Sequence, residues 1–258
     1  PGLGVLLPAG RAPACSLAWI LGTVRGCYVL HMCLKDPTVT FPQISELGIG
    51  PRCSKALYRI GFAASAALHA AMVLVHKDLA LPHLPYGDGD LGWDFTWFGL
   101  LAAAGVALQG VFLLEAKLSS QTVVHLLGAL LFFYGAWSHM GAAQRLYYPE
   151  LPVEDSPDFD DIAGALQLAA ESALLRHPFV SFLVYFRHYI LMRAPLALFV
   201  LPLLSQFSER VGSQLGSSAR STMGLAQWLV VLNFALIFVS YGPELMVAAT
   251  LPLPLQEA

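Results

Sequence analysis

Charge is what this chain has least of: 12% of its 258 residues are Asp, Glu, Lys or Arg, against 57% hydrophobic residues and a mean hydropathy of +0.63. Soluble domains carry about 25% charged residues, so a single water-facing globule is excluded, and so is a disordered or fibrous chain. Basic residues are few, 14 against 17 acids for a net charge of −3. No basic surface is left to hold a phosphate backbone, which excludes nucleic acid as a partner. Cysteine is scarce too. Cys15, Cys27, Cys33 and Cys53 form no CxxC pair and no metal-ligand spacing, although Cys33 and Cys53 could pair if their loop faces an oxidising lumen. Also missing are a GxSxG elbow, an HExxH pair, a P-loop and a dinucleotide glycine pattern. The acid run 155–161 lacks the ligand alternation of a calcium loop. No catalytic set and no metal site are therefore expected. There is no internal repeat. The chain starts at Pro1, from which we expect a processed or partial version of a longer protein; an upstream targeting segment is not readable.

What the chain has in abundance is apolar runs. A crossing needs about 20 apolar residues, and runs of that kind occur at 14–34, 56–79, 95–114, 122–142, 189–207 and 223–249. The expected fold is an all-α, polytopic six-transmembrane-helix bundle forming a single domain. The first connection, 36–51, carries three prolines and two glycines and cannot span; Ser54 after it suits a helix cap. Ala63, Ala64, Ala66 and Ala67 would let a neighbouring helix approach closely. Trp93 and Trp97 open the third crossing at interface depth. The short turn 115–120 makes the third and fourth crossings an antiparallel hairpin. Residues 149–176 hold Glu150, Glu154, Asp155, Asp158, Asp160, Asp161 and Glu171. Within them 162–175 has the spacing of a short amphipathic helix before the fifth crossing. Basic residues slightly favour the odd-numbered connections, which would place those in the cytosol; the organelle is unknown.

Polar groups within these runs are the candidate chemistry. His125, Phe132 and His139 recur at heptad intervals on the fourth crossing, with Gly128 and Gly135 on the same face. The two histidines are fourteen residues apart, about 21 Å at 1.5 Å per residue. They read either as ligands of two stacked haems, with His69 as a further candidate, or as residues satisfied by loop carbonyls and headgroups. Gln227, Asn233, Ser240 and Glu244 form a polar stripe on the last crossing that should face inward. Glu244 has Arg25, Arg187 and Arg193 as possible partners. Arg193 cannot shed its charge and must find a carboxylate, carbonyls or a lipid phosphate. Arg193, Arg187, His125 and Glu244 are thus the candidate lipid-binding residues. In the first loop Pro42 restricts the chain, Ser45 can bond local backbone and Gly48 permits a positive-φ turn, so 41–50 should fold as a compact cap, either a rigid connector or a lid over a lipid-facing cavity.

The stretch Phe41-Pro42-Gln43-Ile44-Ser45-Glu46-Leu47-Gly48 resembles the P-x-I-S-D-T-G loop of a six-span membrane family. That family groups DRAM-type autophagy modulators, FRAG-type proteins, GPI-lipid remodelling proteins and Sfk-type regulators of phosphoinositide kinase. Val123-Val124-His125 with Leu127-Gly128-Ala129 resembles its fourth-helix entrance, and Gln227-Trp228 resembles its last-helix E-W pair. The motifs occur in the family's order. This sequence departs at Glu46-Leu47, where relatives show Asp-Thr, at Leu126, where an Asp follows the histidine, and at Gln227, where an acid precedes tryptophan. The missing acids put inherited chemistry in doubt more than the fold. Arg193 or Arg187 matches an arginine at the family's fifth-helix entrance. The resemblance implies both ends in the cytosol, the opposite of the charge count.

The reading that follows is a non-enzymatic, lipid-associated scaffold or accessory subunit of a membrane assembly, with membrane lipids and other subunits as partners and 149–176 as the docking segment. The alternatives are a lipid-remodelling or lipid-carrier protein with an intramembrane cavity, and a haem- or pigment-binding subunit. A bound phospholipid, haem or pigment is the cofactor each would hold.

Overall fold

The computed structural model describes residues 11–34, 42–84, 87, 89–115, 119–147, 174, 176–187 and 216–251. They form α1 (Ala12–Leu34), α2 (Arg52–Leu79), α3 (Asp90–Val111), α4 (Ser120–Tyr147), α5 (Pro178–Phe186), α6 (Gly216–Val239) and α7 (Gly242–Ala248), with 3-10 turns at Ile44–Gly48 and Leu81–His83. No strand occurs among the described residues. Among the described residues, five segments are long and apolar enough to cross a bilayer: Pro13–Cys33, Arg52–His83, Asp90–Val111, Ser120–Tyr147 and Gly224–Ala248. They overlap the expected runs at 14–34, 56–79, 95–114, 122–142 and 223–249. The expected crossing 189–207 lies outside the described residues, as do the amphipathic helix 162–175 except for Leu174, most of 149–176, Phe41 and Arg193.

Three local features differ from expectation. Helix α2 starts at Arg52 with Pro51 before it, so Ser54 is not its cap; the buried Ser54 hydroxyl instead donates to the Leu47 carbonyl at 2.8 Å. Helix α3 begins at Asp90, an acid in its first turn that suits the positive end of the helix dipole, and so takes in Trp93 and Trp97, both exposed. The last crossing is broken after Val239. Pro243 has no N–H to give a continuing helix but is at home in the first turn of a new one, and α7 restarts there.

Lipid tails are as apolar as these side chains, so helices in a bilayer are held by close approach and polar stitching rather than by the hydrophobic effect. Here small residues mark the contacts. A Cβ on Gly61 would lie 2.0 Å from Thr23 Cγ2 and one on Gly26 would lie 3.0 Å from Leu57 Cδ2, so α1 runs antiparallel to α2, and the Trp19 indole N–H donates to the Gly61 carbonyl at 3.1 Å. The alanines of α2 contribute unevenly: Ala66 is buried, Ala63 and Ala67 are exposed. Between α3 and α4 the backbones nearly touch. A Cβ on Gly105 would meet Phe132 N at 2.4 Å and Gly128 O at 2.6 Å, and one on Gly135 would meet Ala102 N at 2.6 Å. These pairs run in opposite order along the two helices, as an antiparallel hairpin requires.

Helix α6 runs parallel to α2 and α4: Phe132 packs on Phe234, and His69 and His139 both contact Phe238. One buried cluster joins the second half of α2, the first half of α3 and the end of α4 to α5, α6 and α7. A smaller one lies under the first loop, from Val24 and Cys27 through Leu47, Tyr58 and Phe62 to Leu113. All four cysteines are free thiols, Cys33 and Cys53 exposed.

Candidate functional site

The first loop and the start of the last crossing meet. The Trp228 indole N–H donates to the Pro42 carbonyl at 2.9 Å, and the Ile44 N–H donates to Gln227 Oε1 at 2.9 Å. Gln227 thus does what a carboxylate would do at that position: it accepts a backbone N–H. Within the loop the Gln43 N–H donates to Glu46 Oε2 at 3.1 Å, Leu47 is fully buried, and the Tyr28 and Trp228 rings pack edge-on at 5.5 Å. The positive-φ turn expected at Gly48 does not occur; no described residue has positive φ. Gly48 is small for another reason, since a Cβ there would lie 3.3 Å from Leu113 and 3.5 Å from Tyr58. Ser45 and Ile44 face a cavity beneath the loop.

That cavity is partly open and has a volume of about 90 Å³. It runs along α6 from Gln227 past Val231 and Phe234 to Phe238, with α1 on one side and Phe62, Ser65 and His69 of α2 on the other. No lining residue is charged. Its polar side chains are spaced among aliphatic and aromatic ones, the pattern of a site for a largely apolar ligand.

At the far end of the bundle is a second polar centre, fully internal. Arg187 Nη1 and Glu244 Oε1 form an ion pair at 2.6 Å, with both side chains buried. Glu244 Oε2 accepts from the Tyr147 hydroxyl and lies 3.2 Å from His76 Nε2. The Arg187 guanidinium stands over the Tyr241 ring at 4.2 Å and the Tyr147 ring at 5.1 Å, and its Nη1 donates to Ser240 Oγ at 3.2 Å. The broken last crossing is what makes this possible: Glu244 falls in the first turn of α7, aimed back at α2, α4 and α5. Of the arginines open to Glu244 in sequence, Arg187 reaches it and Arg25 is exposed, while Arg193 lies outside the described residues. His76 and Tyr241 had no assigned part in the sequence reading. The signal for them was His76, an ionisable group in a span, which needs a partner.

His125 and Glu244 belong to opposite ends. His125 sits twenty-two residues before Tyr147 on α4, about 33 Å at 1.5 Å per residue. Its Nδ1 donates to the Phe112 carbonyl at 2.6 Å, and His139 Nδ1 donates to the Phe95 carbonyl at 2.7 Å. The heptad histidines are therefore stitches from α4 to backbone carbonyls of α3, at either end of the glycine seam. A seam this close leaves no slot for a planar macrocycle between α3 and α4. Leu126 points outward and is exposed.

A family model described as Frag1/DRAM/Sfk1/Cwh43P N-terminal domain matches residues 8–246, a stretch that takes in α1 through Glu244. Comparison with curated proteins and with solved structures finds no match.

Proposed function

This chain belongs to the Frag1/DRAM/Sfk1/Cwh43P family, and on that premise we propose that it is a non-enzymatic, lipid-associated membrane protein. Its groove between α1 and α6 receives lipid, and its acidic segment 149–176 docks other subunits. One observation carries the lipid part: the two motifs, distant in sequence, bond to each other and make the roof of an uncharged, mainly apolar cavity. The Arg187–Glu244 centre has the opposite character. Its two charges are paired with each other, which suits a lock that fastens α5 and α7 to the bundle. The docking role of 149–176 rests on its seven acids, which sit in the most polar stretch of an otherwise oily chain.

The same reading includes six crossings. Helices α4 and α6 run in one direction, and α5 ends at Arg187, beside the end of α4. These end points support a further crossing between Arg187 and the start of α6, the part expected of 189–207.

The test is purification of the full chain in mild detergent, followed by native mass spectrometry and identification of co-eluting proteins. A retained lipid and membrane-protein companions that are lost when the acids of 149–176 are neutralised are the expected result. A lipid-free monomer, or one that turns a lipid over, refutes the reading.

A further inference from the structure

From the polar groups lining the groove we infer that its ligand is an amphiphile with an uncharged hydroxyl head, held by that hydroxyl on Ser65 and His69. This deepens the lipid-associated reading and rests on it. His69 is 8% exposed and lines the groove. Its Nε2 is buried and without a hydrogen-bond partner among the described residues, and a hydroxyl can serve a ring nitrogen either as donor or as acceptor.

Ser65 stands one helical turn before His69 on the same face of α2 and also lines the groove. Its hydroxyl proton is committed to the Gly61 carbonyl at 2.7 Å, which leaves only lone pairs to offer. The Ser65 lone pairs call for a donor and the unpaired His69 nitrogen for a partner, and one hydroxyl between them serves both. Leaving a buried acceptor unpaired is costly, so the pair is a place where a ligand is rewarded for carrying a hydroxyl.

The rest of the lining restricts the class further. With no charged side chain along the groove, a phosphate or carboxylate head would lose its hydration and gain no counter-charge. From His69 and Phe238 toward Gln227 and Ile44 the walls are Val231, Phe234, Ala235 and Phe62, and that stretch of α6 is about 16 Å long at 1.5 Å per residue. Part of an apolar body can lie there under the cap, the rest leaving through the open side of the groove. Sterols and diacylglycerols both present this chemistry.

The experiment uses the full chain in lipid nanodiscs with four photoactivatable, clickable probes: a sterol, a diacylglycerol, a fatty acid and a phosphatidic acid. Labelling is mapped to peptides of α2 and α6. The sterol or the diacylglycerol is expected to label the groove, whichever does so naming the source, with the two charged probes at least about tenfold weaker. His69→Leu, which removes the unpaired ring nitrogen, is expected to lose labelling about tenfold, the worth of roughly one good hydrogen bond. His69→Gln keeps one donor and one acceptor and is expected to retain it, which separates loss of the bond from loss of the fold. Equal labelling by the charged probes, or full labelling of His69→Leu, overturns the hydroxyl assignment while the lipid-associated reading stands. Labelling of the groove by none of the four overturns both.

Discussion

Arg187 meets Glu244 at 2.6 Å inside the bundle, and neither side chain has water to fall back on. Removing one member of such a pair strands the other, at a cost of about 3–5 kcal/mol, whereas replacing both by apolar groups of similar size is often neutral. Glu244→Ala and Arg187→Ala should therefore each lower the melting temperature in detergent sharply. The double variant Arg187→Met with Glu244→Leu should recover most of the loss. Single losses that merely add in the double variant would show that the two charges do not stabilise one another.

The Pro42–Trp228 and Ile44–Gln227 bonds predict how the cap opens. Each is a partly buried hydrogen bond with a net worth of about 0.5–1.5 kcal/mol. Trp228→Phe and Gln227→Ala should each raise amide hydrogen exchange across 42–50 several-fold while exchange in α3 and α4 stays as it is. Gln227→Glu, which restores the residue type seen in relatives, still offers an acceptor to the Ile44 N–H and should leave exchange near the original level.

Glycines in this chain should fall into two groups on substitution by alanine. At Gly105 the new methyl would sit 2.4 Å from Phe132 N and 2.6 Å from Gly128 O, backbone atoms that yield only if α3 and α4 separate; the expected loss is about 1–3 kcal/mol. Gly141 lies on the same α4 with nothing within 4 Å. There alanine should stabilise by about 0.5–1 kcal/mol, because glycine in a helix interior gives up more backbone freedom on folding. Thermal melting of the two single variants should move in opposite directions.

How much of this was legible in the sequence depends on the range of the interaction. The spans were readable because a run of about 20 apolar residues has few other uses, and the motif loop and the Gln227-Trp228 pair were each visible. Their meeting was not, since it depends on which end of the bundle the last crossing starts from. The spacing of His125 and His139 carried two meanings, because a heptad repeat places groups on one face whether they hold a cofactor or stitch to a neighbouring carbonyl. What decided between them was the glycines alongside, Gly128 and Gly135, which bring the α3 backbone too close for a third body. Glu244 was recognisable as needing an arginine, but not which one, because that depends on where α5 comes to rest. The break after Val239, which turns Glu244 inward, had its trace in Pro243.

The direction of the helices leads to a test of the crossing number. Because α6 is parallel to α2 and α4, the α6 start must share a membrane side with the first loop, where α2 begins, and with Ser119 before α4. The His83 end of α2, the Arg145 end of α4 and Thr250 after α7 must share the other. In sealed vesicles an impermeant maleimide should therefore treat Cys33, Cys53, and cysteines introduced singly at Ser119 and Ser217 in a background otherwise free of cysteine, as one set. Cysteines at His83, Arg145 and Thr250 should form the opposite set. Ser217 labelling with the second set would mean an even number of passes between α4 and α6, and the six-crossing reading would be lost. With vesicles of known orientation the same labels also decide which set faces the cytosol. The small basic excess near the odd connections puts the first set there, and the family likeness puts it outside.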